Sequence, residues 1–240
     1  MSNLLKRYMT WARYWEISIA MRYEPIRKQL ARNYTKETKI LEVGAGGAGV
    51  TRFFPVPVTS LDIAFGDLTE YDRSLTTQVT ASVESIPFPD NHFDVLISVD
   101  MFEHLDVNLR KKALLEFFRV TKPDGMLMIA VPCSKLSTFH EKIINWAYKI
   151  IKKKEHPWLE EHIKYGLPEW KALLDQIKSV NSKCLIEVQD NVNVFLWFIL
   201  HNINGFLPPA IRRPIMQCVF PFVKYINFMP YRKFFLIKKV

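Results

Sequence analysis

Apolar residues recur every three to four positions at the start of the chain. Leu4, Leu5, Tyr8, Ala12, Trp15 and Ile19 predict an amphipathic helix over the first twenty residues. Pro25 is expected to break it and to open a second short helix toward Arg32. From Lys39 the period shortens to compact apolar runs separated by loops. These predict strands at Lys39–Val43, Val58–Ile63, Gln78–Ser82, Asp94–Val99 and Met126–Val131. Between the last two, Leu109 to Thr121 carries a helical stripe (Leu114, Leu115, Phe117, Phe118, Val120), and Lys122-Pro123-Asp124-Gly125 reads as its stop and turn. Strand, helix, strand alternation of this kind predicts an α/β fold, a parallel sheet with helices on both faces and right-handed crossovers.

Beyond Val131 the pattern is helical again. Phe139, Ile143, Ala147 and Ile150 form one stripe, with Lys142, Lys149, Lys152, Lys153 and Lys154 around it. A further helix is predicted at Pro168–Ser179, a sixth strand at Cys184–Val188, a proline-cut apolar stretch at Val192–Tyr231, and a last strand at Phe234–Val240. The reading is of one domain: N-terminal helices (1–38), a ligand-binding core (39–133), a lid or substrate region (134–182) and the last strands with their apolar, basic insertion (183–240). In 240 residues there is length for one well-buried core and a lid, not for two full domains.

Charge narrows the partners without choosing one. With 33 Lys+Arg against 24 Asp+Glu the net charge is +9, which favours something anionic: a membrane surface, nucleic acid or a phosphorylated substrate. The three cysteines, Cys133, Cys184 and Cys218, are widely spaced and form no C-x-x-C, so neither a disulfide framework nor a metal site is signalled, and a reducing cytoplasm is the simplest home. Trp11, Arg13, Tyr14 and Glu16 interrupt the apolar run that a secretory signal would need, so none is expected. The apolar run Val194–Leu200 is far short of a bilayer span.

The candidate chemistry begins at Ile40-Leu41-Glu42-Val43-Gly44-Ala45-Gly46-Gly47-Ala48-Gly49. Gly44, Gly46 and Gly49 fit G-x-G-x-x-G, which holds a dinucleotide pyrophosphate against a helix N-terminus. Glu42 points elsewhere, because a carboxylate repels a pyrophosphate but tolerates a zwitterionic amino acid with a cationic sulfonium. Asp62, ending the second strand, can accept hydrogen bonds from both hydroxyls of a ribose and suits either ligand.

The segment Ala81 to Leu105, ASVESIPFPDNHFDVLISVDMFEHL, separates the two. Together with Ile40 to Gly46, Asp62 and the Leu114–Pro132 helix, turn and strand, it resembles the class I S-adenosylmethionine-dependent methyltransferases, the type 11 group among them, over roughly residues 39 to 133. The resemblance implies a Rossmann-like sheet of seven strands, mostly parallel with an antiparallel seventh, and S-adenosylmethionine as cofactor. It implies Gly44, Ala45 and Gly46 against the methionine part, Glu42 under its amino group or the loop, and Asp62 on the ribose with Ile63 against the adenine. Ser82, Val83 and Glu84 would flank the adenine, and Ser98 and Val99 the amino acid end. Two positions depart from the family pattern: Ala48 stands for its third glycine and Ser82 for an acidic residue near the adenine amino group. The second would cost about one hydrogen bond, roughly 0.5 to 1.5 kcal/mol.

Methyl transfer from a sulfonium is mostly a matter of in-line positioning and exclusion of water. A hydroxyl acceptor also needs a base, and histidine suits neutral pH. His104 follows the fourth strand, where the methyl group should project, and His162 and Tyr165 lie in a stretch that resembles the substrate-side H-x-x-Y-x-x-P of such enzymes. His104 can equally cap a helix start, and His162 and Tyr165 can simply order a lid. His140 reads as a solvated face residue and Cys133 as a buried inert thiol.

The lysine-edged helix and the Val192–Tyr231 stretch are not needed for methyl transfer. Amphipathic elements with basic flanks can lie in a membrane interface, on a lipid-linked or amphiphilic acceptor, or can fold over the pocket as a lid. Nucleic acid ranks below both, because the basic residues are dispersed. The expected activity is therefore methyl transfer, with oxygen as the acceptor atom, to a small-molecule or lipid-linked acceptor. A non-catalytic relative that only binds the cofactor or a membrane partner is the alternative, to which Ala48 and Ser82 lend themselves.

Overall fold

A computed structural model describes residues 17–46, 49–66, 74–133, 135–153, 162, 165, 167–206 and 209–240. Helix α1 (Ile17–Asn33) precedes β1 (Ile40–Val43), β2 (Val58–Asp62), β3 (Thr76–Thr80) and β4 (Phe93–Val99). Then come α2 (Val107–Val120), β5 (Thr121–Pro132), α3 (Lys135–Lys152), α4 (Trp170–Val180) and β6 (Leu185–Asn193). Helices α5 (Val194–Phe206) and α6 (Pro209–Val223) lead to β7 (Pro230–Lys238). The seven strands form one sheet in the order β3-β2-β1-β4-β5-β7-β6, and β7 runs antiparallel to both its neighbours.

Alternation along the buried strands builds two apolar layers. Leu41, Val43, Leu96, Leu127 and Ile129 face α2 and α4, meeting Leu114, Phe117, Leu173 and Ile177. Ile40, Ile97, Met128 and Phe234 face the other way, against Tyr23, Ile26 and Leu30 of α1. A third cluster joins the start of α1 to α5 and α6 through Ile17, Met21, Trp197 and Met216. The strand order reverses between β1 and β4, and a crevice opens there at the carboxyl ends of the strands, where open α/β sheets bind ligands. Helix α2 starts cleanly behind it, because the Asp106 carboxylate accepts the amides of Asn108 (2.8 Å) and Leu109 (3.0 Å).

Several boundaries differ from the sequence reading. Pro25 lies inside α1 and does not end it. A helix-interior proline costs about 3 kcal/mol, and the burial of Ile17, Met21, Tyr23, Ile26 and Leu30 along one helix outweighs that. The first sixteen residues of the helix expected over the first twenty, and the Gly47-Ala48 part of the glycine loop, lie outside the described residues. Strand β3 begins two residues early, pairing Thr76 through Thr80 with Val58 through Asp62, so Ser82 stands beyond the strand's end. The Lys122-Pro123-Asp124-Gly125 turn is absorbed into β5 as an irregularity: the ladder passes from Phe93 opposite Thr121 to Val95 opposite Met126. Asp124 takes a left-handed φ of 60°, and Lys239 bonds both Asp124 and Gly125, stitching the turn to the end of β7. The proline-cut stretch is two helices, with Pro214 and Pro221 inside α6. Among the described residues, no helix is long and apolar enough to cross a membrane.

Candidate functional site

A cavity of about 490 Å³ occupies the crevice. Its walls are the ends of β1 (Val43, Gly44) and β2 (Leu61, Asp62, Ile63), the turn after β3 (Ala81, Ser82, Val83), the turn after β4 (Asp100, Met101, His104, Leu105) and Leu109 of α2. Gly44 turns the chain out of β1 with φ +80°, and a Cβ there would stand 2.4 Å from Met101 Cγ. Only glycine meets both conditions. At the next step Gly46, with φ +60°, donates its amide to Asp62 Oδ2 at 2.7 Å, while Ala64 donates to Oδ1 at 3.3 Å. The Asp62 carboxylate thus sits at the loop where the resemblance expects a ribose. Ala45 is half-buried between the two glycines, and Ile63 is 76% exposed at the rim.

Glu42 is buried beneath the loop instead of facing the cavity. Its carboxylate accepts the Val50 amide (2.9 and 3.1 Å) and the Tyr23 hydroxyl (2.9 Å). A Cβ on Gly49 would fall 2.1 Å from Glu42 Oε1, so that glycine is required by the carboxylate and not by a pyrophosphate. Burial raises the Glu42 pKa to about 7, against the Val50, Tyr23 and Arg52 contributions that lower it. Of the two roles open to Glu42, holding the loop is the one its bonds serve.

Other expected cofactor residues divide. Ser82 and Val83 line the cavity, but Glu84 is exposed and pairs with Lys112 at 2.9 Å. Ser98 and Val99 are buried within the sheet, and the wall at the end of β4 is made by Asp100 and Met101. Alternation accounts for this: β4 is covered on both faces, and the chain is exposed to the crevice only once it leaves the strand. Asp100 does so with a left-handed φ of 56°.

Behind that wall lies a polar cluster. His104 and His162 stand with ring centroids 4.8 Å apart, and together with Glu103 they bring one ligating atom each within 4.8 Å of one another. Glu141 Oε1 is 3.1 Å from His162 Nδ1, without the alignment of a hydrogen bond, and accepts from the Tyr231 hydroxyl at 3.2 Å. Asp100 binds Arg22 at 2.6 Å and contacts Arg232, whose Nη2 is 4.0 Å from Glu103 Oε1. Burial raises the Glu103 pKa to about 8, with Glu141 adding to it and Arg22 and Arg110 opposing it. Tyr165 is half-buried just past His162; the side chain of His140 lies outside the described residues. Cys133 is buried, with its thiol pushed up to about 12, as an inert thiol should be.

The sequence reading missed Asp100, Glu141, Arg22, Arg232 and Tyr231. Asp100 had a usable signal, being the first polar residue past the apolar β4 run. The others come from α1, α3 and β7, and no local pattern announces their meeting.

Comparison with known proteins bears on the first half of the site. Residues 41–129 match the family model of a methyltransferase domain. A ubiquinone/menaquinone biosynthesis C-methyltransferase of Cupriavidus necator is 36% identical over 112 residues, 45% of this chain and 43% of that protein. A protein of the same description from Burkholderia cenocepacia is 29% identical over 152 residues, 58% of this chain and 60% of its own. The chain thus spans roughly half the length of the curated relatives it matches. Among solved structures, a Haemonchus contortus phosphoethanolamine N-methyltransferase 2 in complex with S-adenosyl-L-methionine aligns with TM-score 0.56 at 16% identity, covering 90% of this chain and 52% of that one. A SAM-dependent methyltransferase of Thermotoga maritima aligns with TM-score 0.52 at 15% identity, covering 99% and 96%. The fold expected from the sequence is the fold these structures share.

Proposed function

We propose, from the match of residues 41–129 to the methyltransferase-domain family model, that the chain is an S-adenosylmethionine-dependent methyltransferase acting on a small or lipid-linked acceptor. The observation that carries this reading is the cavity lined by Gly44, Asp62 and His104. It brings a glycine turn, a carboxylate and an imidazole to one crevice, the groups that a methionine tail, a ribose and a hydroxyl acceptor would need. In this reading the Gly44–Gly46 backbone takes the methionine part, and Asp62 exchanges its Gly46 and Ala64 amides for ribose hydroxyls. Ile63, Ser82 and Val83 surround the adenine. The sulfonium methyl then projects toward Met101 and His104. An oxygen acceptor presented from the His104–His162 side attacks it in line: the new O–C bond forms as the S–C bond breaks, the neutral thioether departs, and His104 accepts the hydroxyl proton. His162 and Tyr165 belong to the acceptor side. The name carried by the ubiquinone/menaquinone relatives supports a carbon acceptor as the second reading.

An amphiphilic acceptor is supported by an outward apolar stripe on α3. Phe139, Ile143, Trp146 and Ile150 recur at helical spacing and are 64%, 42%, 65% and 60% exposed, with Lys142 and Lys149 exposed alongside. Phe195, Phe198 and Ile199 of α5 and Phe222 of α6 are also exposed. Four large apolar side chains in one outward row suit insertion into a lipid interface flanked by basic residues. Calorimetry with S-adenosylhomocysteine tests the activity, and co-sedimentation with anionic liposomes tests the surface. Absence of S-adenosylhomocysteine binding overturns the enzyme reading. A protein that stays in the supernatant at low salt overturns the membrane reading and leaves the first intact.

A further inference from the structure

We propose that Glu103, His104 and His162 form a binding site for one divalent transition-metal ion of the zinc type, set in the wall of the cavity. Their ligating atoms already lie within 4.8 Å of one another, and the two imidazole centroids are 4.8 Å apart. Around zinc, tetrahedral ligand atoms stand about 3.3 Å apart, so closure needs side-chain rotation and no change of fold. Two imidazoles and a carboxylate suit zinc, cobalt or manganese; calcium and magnesium demand oxygen ligands throughout.

An independent observation points to the same ligand. Glu103 is 2% exposed and its Oε2 has no hydrogen-bond partner, although a buried carboxylate oxygen without a donor is costly. Arg232 approaches the other oxygen, Oε1, at 4.0 Å, an ion pair too long for a hydrogen bond, and so leaves Oε2 without a donor. Arg22 is taken by Asp100. Neither nitrogen of His162 has an aligned partner. Nδ1 is nevertheless 3.1 Å from Glu141, which Tyr231 holds by a hydrogen bond. A carboxylate behind one nitrogen fixes the tautomer that leaves Nε2 as a metal ligand, the usual support of a zinc-bound histidine.

Three protein ligands leave a coordination position open, and His104 lines the cavity. An oxygen of the acceptor can fill it. The bound ion would lower the pKa of a hydroxyl, so the proton leaves to solvent as the oxygen takes the methyl group, and His104 then serves as ligand in place of base. This last role rests on the methyltransferase reading; the metal site itself does not.

The test uses the full chain, freed of metal by a chelator, titrated with Zn²⁺ by calorimetry and with Co²⁺ by visible absorption. One ion per chain is expected, with the ligand-field bands of low-coordinate cobalt. His162→Ala should weaken binding by about tenfold or more, and His162→Cys, which retains a ligand atom, should recover most of it. His92→Ala, outside the cluster, should match the unaltered chain. Lack of saturable binding overturns the site, as does affinity unchanged from the unaltered chain in His162→Ala and His104→Ala, or a loss on His92→Ala. S-adenosylhomocysteine titration of the same samples separates the two readings. Metal bound without S-adenosylhomocysteine upholds the site and removes the methyltransferase; S-adenosylhomocysteine bound without metal does the reverse.

Discussion

Glu42 and Glu103 are both almost wholly buried beside the same cavity, and they are held in opposite ways. Glu42 has a donor for each oxygen, from the Val50 amide and the Tyr23 hydroxyl. Glu103 has an oxygen with none, two imidazoles nearby and a guanidinium at 4.0 Å. A buried carboxylate that is satisfied within its own loop fixes a backbone shape. One that is left unsatisfied keeps capacity for a ligand, at a standing cost in stability. In the proposed reading the two halves of the site divide along that line: a cofactor cradle whose buried carboxylate is paired, and an acceptor wall whose buried carboxylate keeps an oxygen without a donor.

The largest effect that could break this division comes from Gly44→Val. A β-branched residue at φ +80°, with its Cβ 2.4 Å from Met101 Cγ, disrupts the cradle. S-adenosylhomocysteine affinity should fall about a hundredfold, equivalent to about 3 kcal/mol, while Zn²⁺ binding at the wall persists. Calorimetry with each ligand reads both. Parallel loss of the two would show that cradle and wall are one coupled unit.

The next effect is a pH dependence. The folded Glu42 pKa of about 7 lies above the ordinary value of 4.5, so between those values the folded state holds a proton that the unfolded chain has released. Stability is fully present below about pH 4.5 and is lost as pH rises through 7. Arg52, whose charge favours the carboxylate, limits the loss. Glu42→Gln carries no titrating group and should flatten that part of the curve, gaining on the wild type by about 3 kcal/mol between pH 4.5 and 8. Urea unfolding across that range is the measurement; two parallel curves would mean that Glu42 is not the buried acid described.

These two residues also show what the sequence could and could not reveal. Gly44, Asp62 and the crevice itself follow from local order: a buried strand, a glycine turn, and a carboxylate ending the next strand. Strands β1, β2, β4 and β5 and helix α2 were legible because each holds a short apolar run or a clean 3.6-residue stripe, whereas the mostly polar edge strand β3 (Thr76–Thr80) was placed two residues late. The fate of Pro25 was not, since the burial that carries α1 through it is a property of the packed protein. Nor was the acceptor wall. Its members come from α1, the β4 turn, α3, residue 162 and β7, and only the chain's crossing at β5 and β7 brings Arg232 to Asp100. Local patterns record what one element needs; they carry no information about which distant side chains will share a cavity wall.

Tyr23→Phe probes the cradle more gently. It removes one donor from Glu42 Oε1 and leaves the ring stacked on Phe53 at 5.2 Å, so the cost should be near 1 kcal/mol in urea unfolding. Because the Val50 amide still reaches both carboxylate oxygens, S-adenosylhomocysteine affinity should hardly change.

The smallest expected effect bears on where the cradle ends. The family resemblance puts Glu84 beside the adenine, yet its carboxylate meets Lys112 on the surface, with side chains 40% and 62% exposed, and the cavity wall stops at Val83. Exposed pairs of this kind are screened by water and salt, so Glu84→Ala should leave the thermal midpoint within experimental error. The same substitution should leave S-adenosylhomocysteine affinity unchanged, while Asp62→Ala reduces it about tenfold by removing charge-assisted hydrogen bonds to the ribose. If Glu84→Ala instead weakens binding as much as Asp62→Ala does, the turn after β3 must swing inward on the cofactor. The cradle would then extend past Val83, and its boundary would be set by the ligand and not by the fold alone.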